Sequence, residues 1–152
     1  TISVVYKGVD FVKDIELAKE ILLKEDFALV AVKNGEIIFK SNEKGIKPMY
    51  ELATEMKDIA KGASIADKVI GRGAALLCSY LDINEAYGRL ISKAGMEILE
   101  KNQISYDFME SCEYIKNRDG TDYCPIEKLS MSTEKASDFL EELRIFFSRN
   151  KD

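Results

Sequence analysis

A near-continuous apolar run, Phe27-Ala28-Leu29-Val30-Ala31-Val32, is followed by Lys33, then Asn34-Gly35, then Glu36-Ile37-Ile38-Phe39-Lys40. Asn and Gly both tolerate the positive φ that a type I′ turn needs at its two central positions. The stretch therefore predicts a tight antiparallel hairpin. A strand with no polar alternation is one covered on both faces. A hairpin whose first strand is buried on both sides demands helices above and below it, and this is the strongest constraint on the fold.

The remaining segments supply those helices. Residues 14–24 place Leu17, Ala18, Ile21 and Leu22 on one face of a helix. A second helix is predicted over 46–60, with Pro48 in its first turn, Met49, Leu52, Ala53, Met56 and Ile59 at helical spacing, and Gly62 closing it. Ser64-Ile65-Ala66-Asp67 resembles a capping box. The small, apolar stretch through Cys78 then reads as a central helix packed close to a sheet, starting at Asp67-Lys68. A third strand is expected over 84–91, a short helix over 93–102, a fourth strand over 104–109 and a closing amphipathic helix over 132–148. Strands alternating with helices imply a three-layer α/β/α sandwich whose mixed sheet has an N-terminal antiparallel hairpin and parallel strands later.

At 152 residues the chain fits one domain spanning 1–152, with residues 1–10 read as an added or flexible extension. A net charge of −5 argues against phosphate-backbone binding, and no apolar run is long enough for a membrane span. The expected partners therefore include neither nucleic acid nor membrane. Cys78, Cys112 and Cys124 make an odd count at irregular spacing, which fits a reducing cytoplasm rather than a disulfide framework. There is no histidine at all, so the commonest general base and the commonest metal ligand are both missing.

The densest chemistry lies in Asn117-Arg118-Asp119-Gly120-Thr121-Asp122-Tyr123-Cys124-Pro125-Ile126-Glu127. With Cys124 as an N-cap, Pro125 falls at N1 and Glu127 at N3. A thiol at a helix N-terminus has its pKa lowered by the dipole, so Cys124 is a candidate nucleophile or redox thiol and Glu127 a candidate proton-transfer group. The bland reading is a buried, inert sulfur that begins a helical turn. Arg118 with Gly120 and Thr121 can hold an anion; equally, Asn117 and Asp119 can simply bond their own backbone in a turn. Asp67 and Lys68, with Ser92 and Lys93 after a strand end, would line the same crevice if ligands collect where strand ends meet helix starts.

The order of elements resembles the cytidine deaminase-like fold. Asp67-Lys68-Val69-Ile70-Gly71-Arg72-Gly73-Ala74-Ala75-Leu76-Leu77, Ile91-Ser92-Lys93, Asn117-Arg118-Asp119-Gly120-Thr121 and Cys124-Pro125-Ile126-Glu127 are similar to the signature blocks of an uncharacterised family of small prokaryotic proteins assigned to that fold. The resemblance covers roughly residues 14–147 and implies a fold without a biochemical role. Zinc deaminases carry a His or Cys two residues before a Glu at one helix start, and Pro-Cys-x-x-Cys at the next. Neither pattern stands at Ala66-Asp67-Lys68 or at Ser92-Lys93-Ala94-Gly95-Met96, so zinc-dependent deamination is not expected and no cofactor is implied.

Two functions follow as expectations. The first is a protein binding a small polar or anionic ligand, nucleoside- or nucleotide-like by analogy of fold, or a non-zinc enzyme. Its site would comprise Asp67, Lys68, Ser92, Lys93, Asn117, Arg118, Thr121, Cys124 and Glu127. The second is a regulatory or assembly protein, in which the 117–127 motif is structural and the working surface is a homo-oligomer interface.

Overall fold

The structure, a computed structural model, describes residues 13–150; the expectation for residues 1–10 lies outside them. The hairpin forms as its residues dictate. β1 (Leu29–Lys33) turns through Asn34 (φ 53°) and Gly35 (φ 80°) into β2 (Glu36–Ser41). Asp14, the first residue of α1 (Asp14–Lys24), accepts both turn N–H groups, Asn34 at 2.9 Å and Gly35 at 2.8 Å. A helix start thus staples the hairpin tip.

After β2 come α2 (Lys47–Glu55), α3 (Lys57–Ala60) and β3 (Ser64–Ile70), then α4 (Arg72–Tyr80), β4 (Glu85–Ser92), α5 (Lys93–Lys101) and β5 (Ser105–Cys112). Two helices close the described chain, α6 (Pro125–Met131) and α7 (Ala136–Arg149). The five strands lie in the order β2-β1-β3-β4-β5. β1 is antiparallel to both β2 and β3, whereas β3, β4 and β5 run parallel. This is the expected α/β architecture with its mixed sheet.

Alternation along β1 separates the layers. Val30 and Val32 pack with Ile15, Ala18, Ile21 and Leu22 of α1, together with Ala66 and Tyr87. Leu29 and Ala31 face the larger core, which α2, α4, α5 and α7 supply with Met49, Leu52, Leu77, Leu99, Phe139 and Leu143. Helices thus cover both faces of the sheet.

Four elements differ from expectation. Ser64-Ile65-Ala66-Asp67 is not a capping box; it opens β3, the central strand between β1 and β4. An apolar stretch buried on both faces has no period of its own, so a strand there resembles a buried helix. The central helix therefore starts at Arg72 rather than Asp67, and the sheet has five strands rather than four. The 46–60 helix breaks at Met56, whose backbone leaves the helical region (φ −134°, ψ 28°) and divides α2 from α3. The closing helix begins at Ala136 instead of 132, because α6 has already formed over 125–131.

Candidate functional site

The parallel part of the sheet ends where β3 runs into Gly71 and α4 begins. α6 lies over that junction. Its Glu127, only 7% exposed, accepts the Arg72 N–H at 2.8 Å and the Gly73 N–H at 3.2 Å. Those donors belong to the first turn of α4, which has no intrahelical acceptor for them. A carboxylate there also meets the positive end of the helix dipole. Gly71 makes the approach possible: a Cβ at this position would collide with the Glu127 carboxylate.

Arg72 returns the contact. Its guanidinium donates to the Ser130 carbonyl and, at 2.9 Å, to the Thr133 carbonyl, and lies 3.5 Å from exposed Glu134. The end of α6 is thereby tied to the start of α4. Gly71 and Arg72 escape a reading of the sequence because a helix starting at Asp67-Lys68 places them in its interior. The usable signal was Gly71-Arg72-Gly73 following β-branched Val69-Ile70, which marks a strand end and a new helix start.

Beneath this latch lies a cavity of about 290 Å³, lined by Asp67, Lys68 and Val69 of β3, Gly71 and Ala74, the Lys44-Gly45-Ile46 approach to α2, Ala28, and Ile115, Cys124, Ile126 and Glu127. Its walls are mostly apolar. Asp67, 7% exposed, is the uncompensated group in it. The Val69 N–H reaches Asp67 Oδ1 at 3.2 Å, and among the described residues no hydrogen bond engages Oδ2. Asp67 borders the cavity, and among the described residues no fully buried side-chain N or O atom lacks a partner, so Oδ2 is not sealed within packed protein. Burial pushes the Asp67 carboxyl up from 3.8 to about 7, against the backbone N–H groups of Val69 and Lys68, which favour the charged form.

The candidate residues divide accordingly. Asp67, Lys68, Cys124 and Glu127 share the cavity. Asp67 and Lys68 do so from a strand, not from the helix start expected of them. The Lys68 ammonium is held by Asp26 at 2.7 Å. Cys124 is the N-cap of α6 with Pro125 at N1, but its thiol makes no capping bond. Ser92 caps α5 by accepting the Gly95 N–H at 3.0 Å, and lines a separate, smaller cavity of about 90 Å³ together with Arg72, Tyr114, Tyr123 and Glu127. Lys93 and Arg118 are exposed and border neither cavity. Asn117 and Thr121 are bound up in their own turn. Asn117 Oδ1 accepts the Thr121 N–H at 3.0 Å, and the Thr121 hydroxyl donates to Asp119 at 2.6 Å.

The helix starts that border the cavity read Ile46-Lys47-Pro48, Gly71-Arg72-Gly73 and Cys124-Pro125-Ile126, with one thiol among them and no imidazole. Glu127 is committed to backbone N–H groups, and among the described residues no three His, Cys, Asp or Glu side chains gather closely enough to hold a metal ion.

Fold and cavity together define an α/β domain with a cavity of about 290 Å³ at the end of β3. Residues 17–147 match the family described as TM1506: Domain of unknown function (DUF1893), and the chain belongs to that family. A crystal structure of a DUF1893 family protein (TM1506) from Thermotoga maritima superposes with a TM-score of 0.78 at 25% identity, covering 98% of this chain and 99% of that one. A dCMP deaminase from the cyanophage S-TIM5, in apo form, is weakly similar, with a TM-score of 0.45 at 13% identity over 63% of this chain and 94% of that one. No curated protein matches the chain.

Proposed function

We propose that this protein binds a small molecule in the cavity between Lys44–Ile46, the end of β3 and α6. The observation that carries the reading is Asp67: a buried carboxyl with one oxygen free of hydrogen bonds among the described residues, bordering a mostly apolar space of about 290 Å³. That volume lies at the lower edge of the range in which ligand sites fall, roughly 300–1,000 Å³, and a few polar groups on apolar walls are their usual make-up. A free, titratable carboxyl at such a place is costly for stability and useful for recognition. Cys124 contributes a thiol to the same wall, and the three free thiols suit a reducing compartment. Among the described residues no helix is long and apolar enough to cross a membrane.

In this reading Glu127 is a positioning residue rather than a proton carrier, since both its oxygens already accept backbone N–H groups. A fragment screen followed by amide chemical shifts tests the proposal. Hits should move Gly45, Lys68 and Gly71, and should vanish in Val69→Trp, where a large ring replaces a cavity-lining side chain that is already 41% exposed. Hits that map elsewhere and survive Val69→Trp would refute it.

A further inference from the structure

Two carboxylates line this cavity, and two of the groups that would welcome an anion are already engaged. The first N–H groups of α4 are held by Glu127 at 2.8 and 3.2 Å. The Lys68 ammonium is held by Asp26 at 2.7 Å. Of the lining residues, Lys44 is the other cation, and it is exposed. What the cavity offers an occupant is an acceptor, Asp67 Oδ2. Resting on the cavity being the ligand site, we infer that its occupant presents N–H donors to Asp67: an amidine, an aminated nitrogen heterocycle or a protonated amine on a flat, mainly apolar body. Carboxylates and phosphates are disfavoured.

The surroundings of Asp67 support a pH-dependent version of this contact. Its strand neighbours in register, Leu29 of β1 and Gly88 of β4, carry no charge. The titratable groups facing the site are Lys68 on its own strand, Lys44 before α2, Cys78 of α4, and Cys124 and Glu127 of α6. Burial, followed by the charge of Asp67, pushes the Cys78 thiol far above its ordinary range, so it stays protonated. Lys68 is already neutralised by its partner. A bound N–H donor therefore has no internal cation to displace from Asp67, and it relieves a carboxylate that burial otherwise penalises.

Benzamidine, a flat cation across the relevant pH range, and benzoate, its anionic counterpart, are suitable probes. Calorimetric titration at pH 5.5 and 8.5 should show benzamidine binding at least about tenfold tighter at the higher pH, because Asp67 must ionise to accept fully. Benzoate should bind more weakly than benzamidine at pH 8.5. Asp67→Asn should lose at least about tenfold in benzamidine affinity along with the pH dependence, and Val69→Trp should abolish binding. Preference for benzoate, or benzamidine binding unchanged in Asp67→Asn but lost in Val69→Trp, would overturn the donor-ligand inference while leaving the cavity as the site. No binding by either probe, or binding that survives Val69→Trp, would remove both.

Discussion

Asp67 and Glu127 line one cavity, are each only 7% exposed, and are handled in opposite ways. Glu127 sits at the start of α4 and receives two backbone N–H groups, so its charge is matched where it lies. Asp67 sits on a central strand, receives one N–H at 3.2 Å, and keeps an oxygen free. The first arrangement joins two elements of the fold. The second leaves an electrostatic debt that only a proton or a ligand can settle. Burial alone does not distinguish structural from functional carboxylates; the count of partners does.

The largest effect that would break this contrast is at the latch. Glu127→Ala leaves the Arg72 and Gly73 N–H groups without an acceptor in a closed space and should cost about 3 kcal/mol or more in chemical denaturation. Gly71→Ala attacks the same contact from the other side, because its Cβ collides with that carboxylate. The two losses should not add: the double variant should be more stable than the sum of the singles predicts, since truncating Glu127 makes room for the methyl group. Additive losses would mean that Gly71 matters for another reason.

Asp67 should respond with the opposite sign. The folded protein keeps this carboxyl protonated up to about pH 7, whereas an ordinary Asp releases its proton near 3.8. Between those values the folded state holds more protons than the unfolded one, so stability falls as pH rises from about 4 to about 7 and is flat above. The full loss is on the order of 4 kcal/mol. Asp67→Asn removes the titration and should gain about 2–3 kcal/mol at pH 8 while changing little at pH 4. Denaturant midpoints at the two pH values check this. A variant less stable at pH 8 would show that the ionised carboxylate is held by partners after all.

Arg72 should show a smaller loss. Its Nη1 donates to both carbonyls, Ser130 and Thr133, while Nη2 lies 3.5 Å from Glu134, so an ammonium, with its single nitrogen, cannot keep both sets of contacts. Arg72→Lys should cost about 1–2 kcal/mol and loosen α6, seen as faster amide exchange over 125–133.

The hairpin and the β4–α5–β5 unit were legible because their signals are local: Asn34-Gly35 for the turn, Ser92 before Lys93 for a helix start. β3 was hidden by its own burial, since Ser64–Asp67 is covered on both sides and offers no alternation to read. The site was half legible. Asp67, Lys68, Cys124 and Glu127 could be singled out by residue type, yet the partner of Glu127 lies 55 residues away at Arg72, and no local pattern announces such a pairing. Lys44–Ile46 and Ile115 carried no chemical signal; only the fold brings them to the cavity.

The smallest expected effect concerns the residue that looked most like an anion clamp. Asn117 holds its turn together: its side-chain oxygen accepts the Thr121 N–H at 3.0 Å and the Asp122 N–H at 3.3 Å, and its own N–H donates to the Asp122 carbonyl at 2.8 Å. Arg118, one residue on, is exposed, and among the described residues no hydrogen bond or ion pair engages its guanidinium. Asn117→Ala should therefore cost about 1 kcal/mol, and Arg118→Ala should stay within about 0.5 kcal/mol of the parent. Neither borders the cavity, so benzamidine affinity at pH 8.5 should be the same in Arg118→Ala as in the parent. A tenfold loss there would place the working site on the 117–121 turn and would reverse the contrast between the two carboxylates.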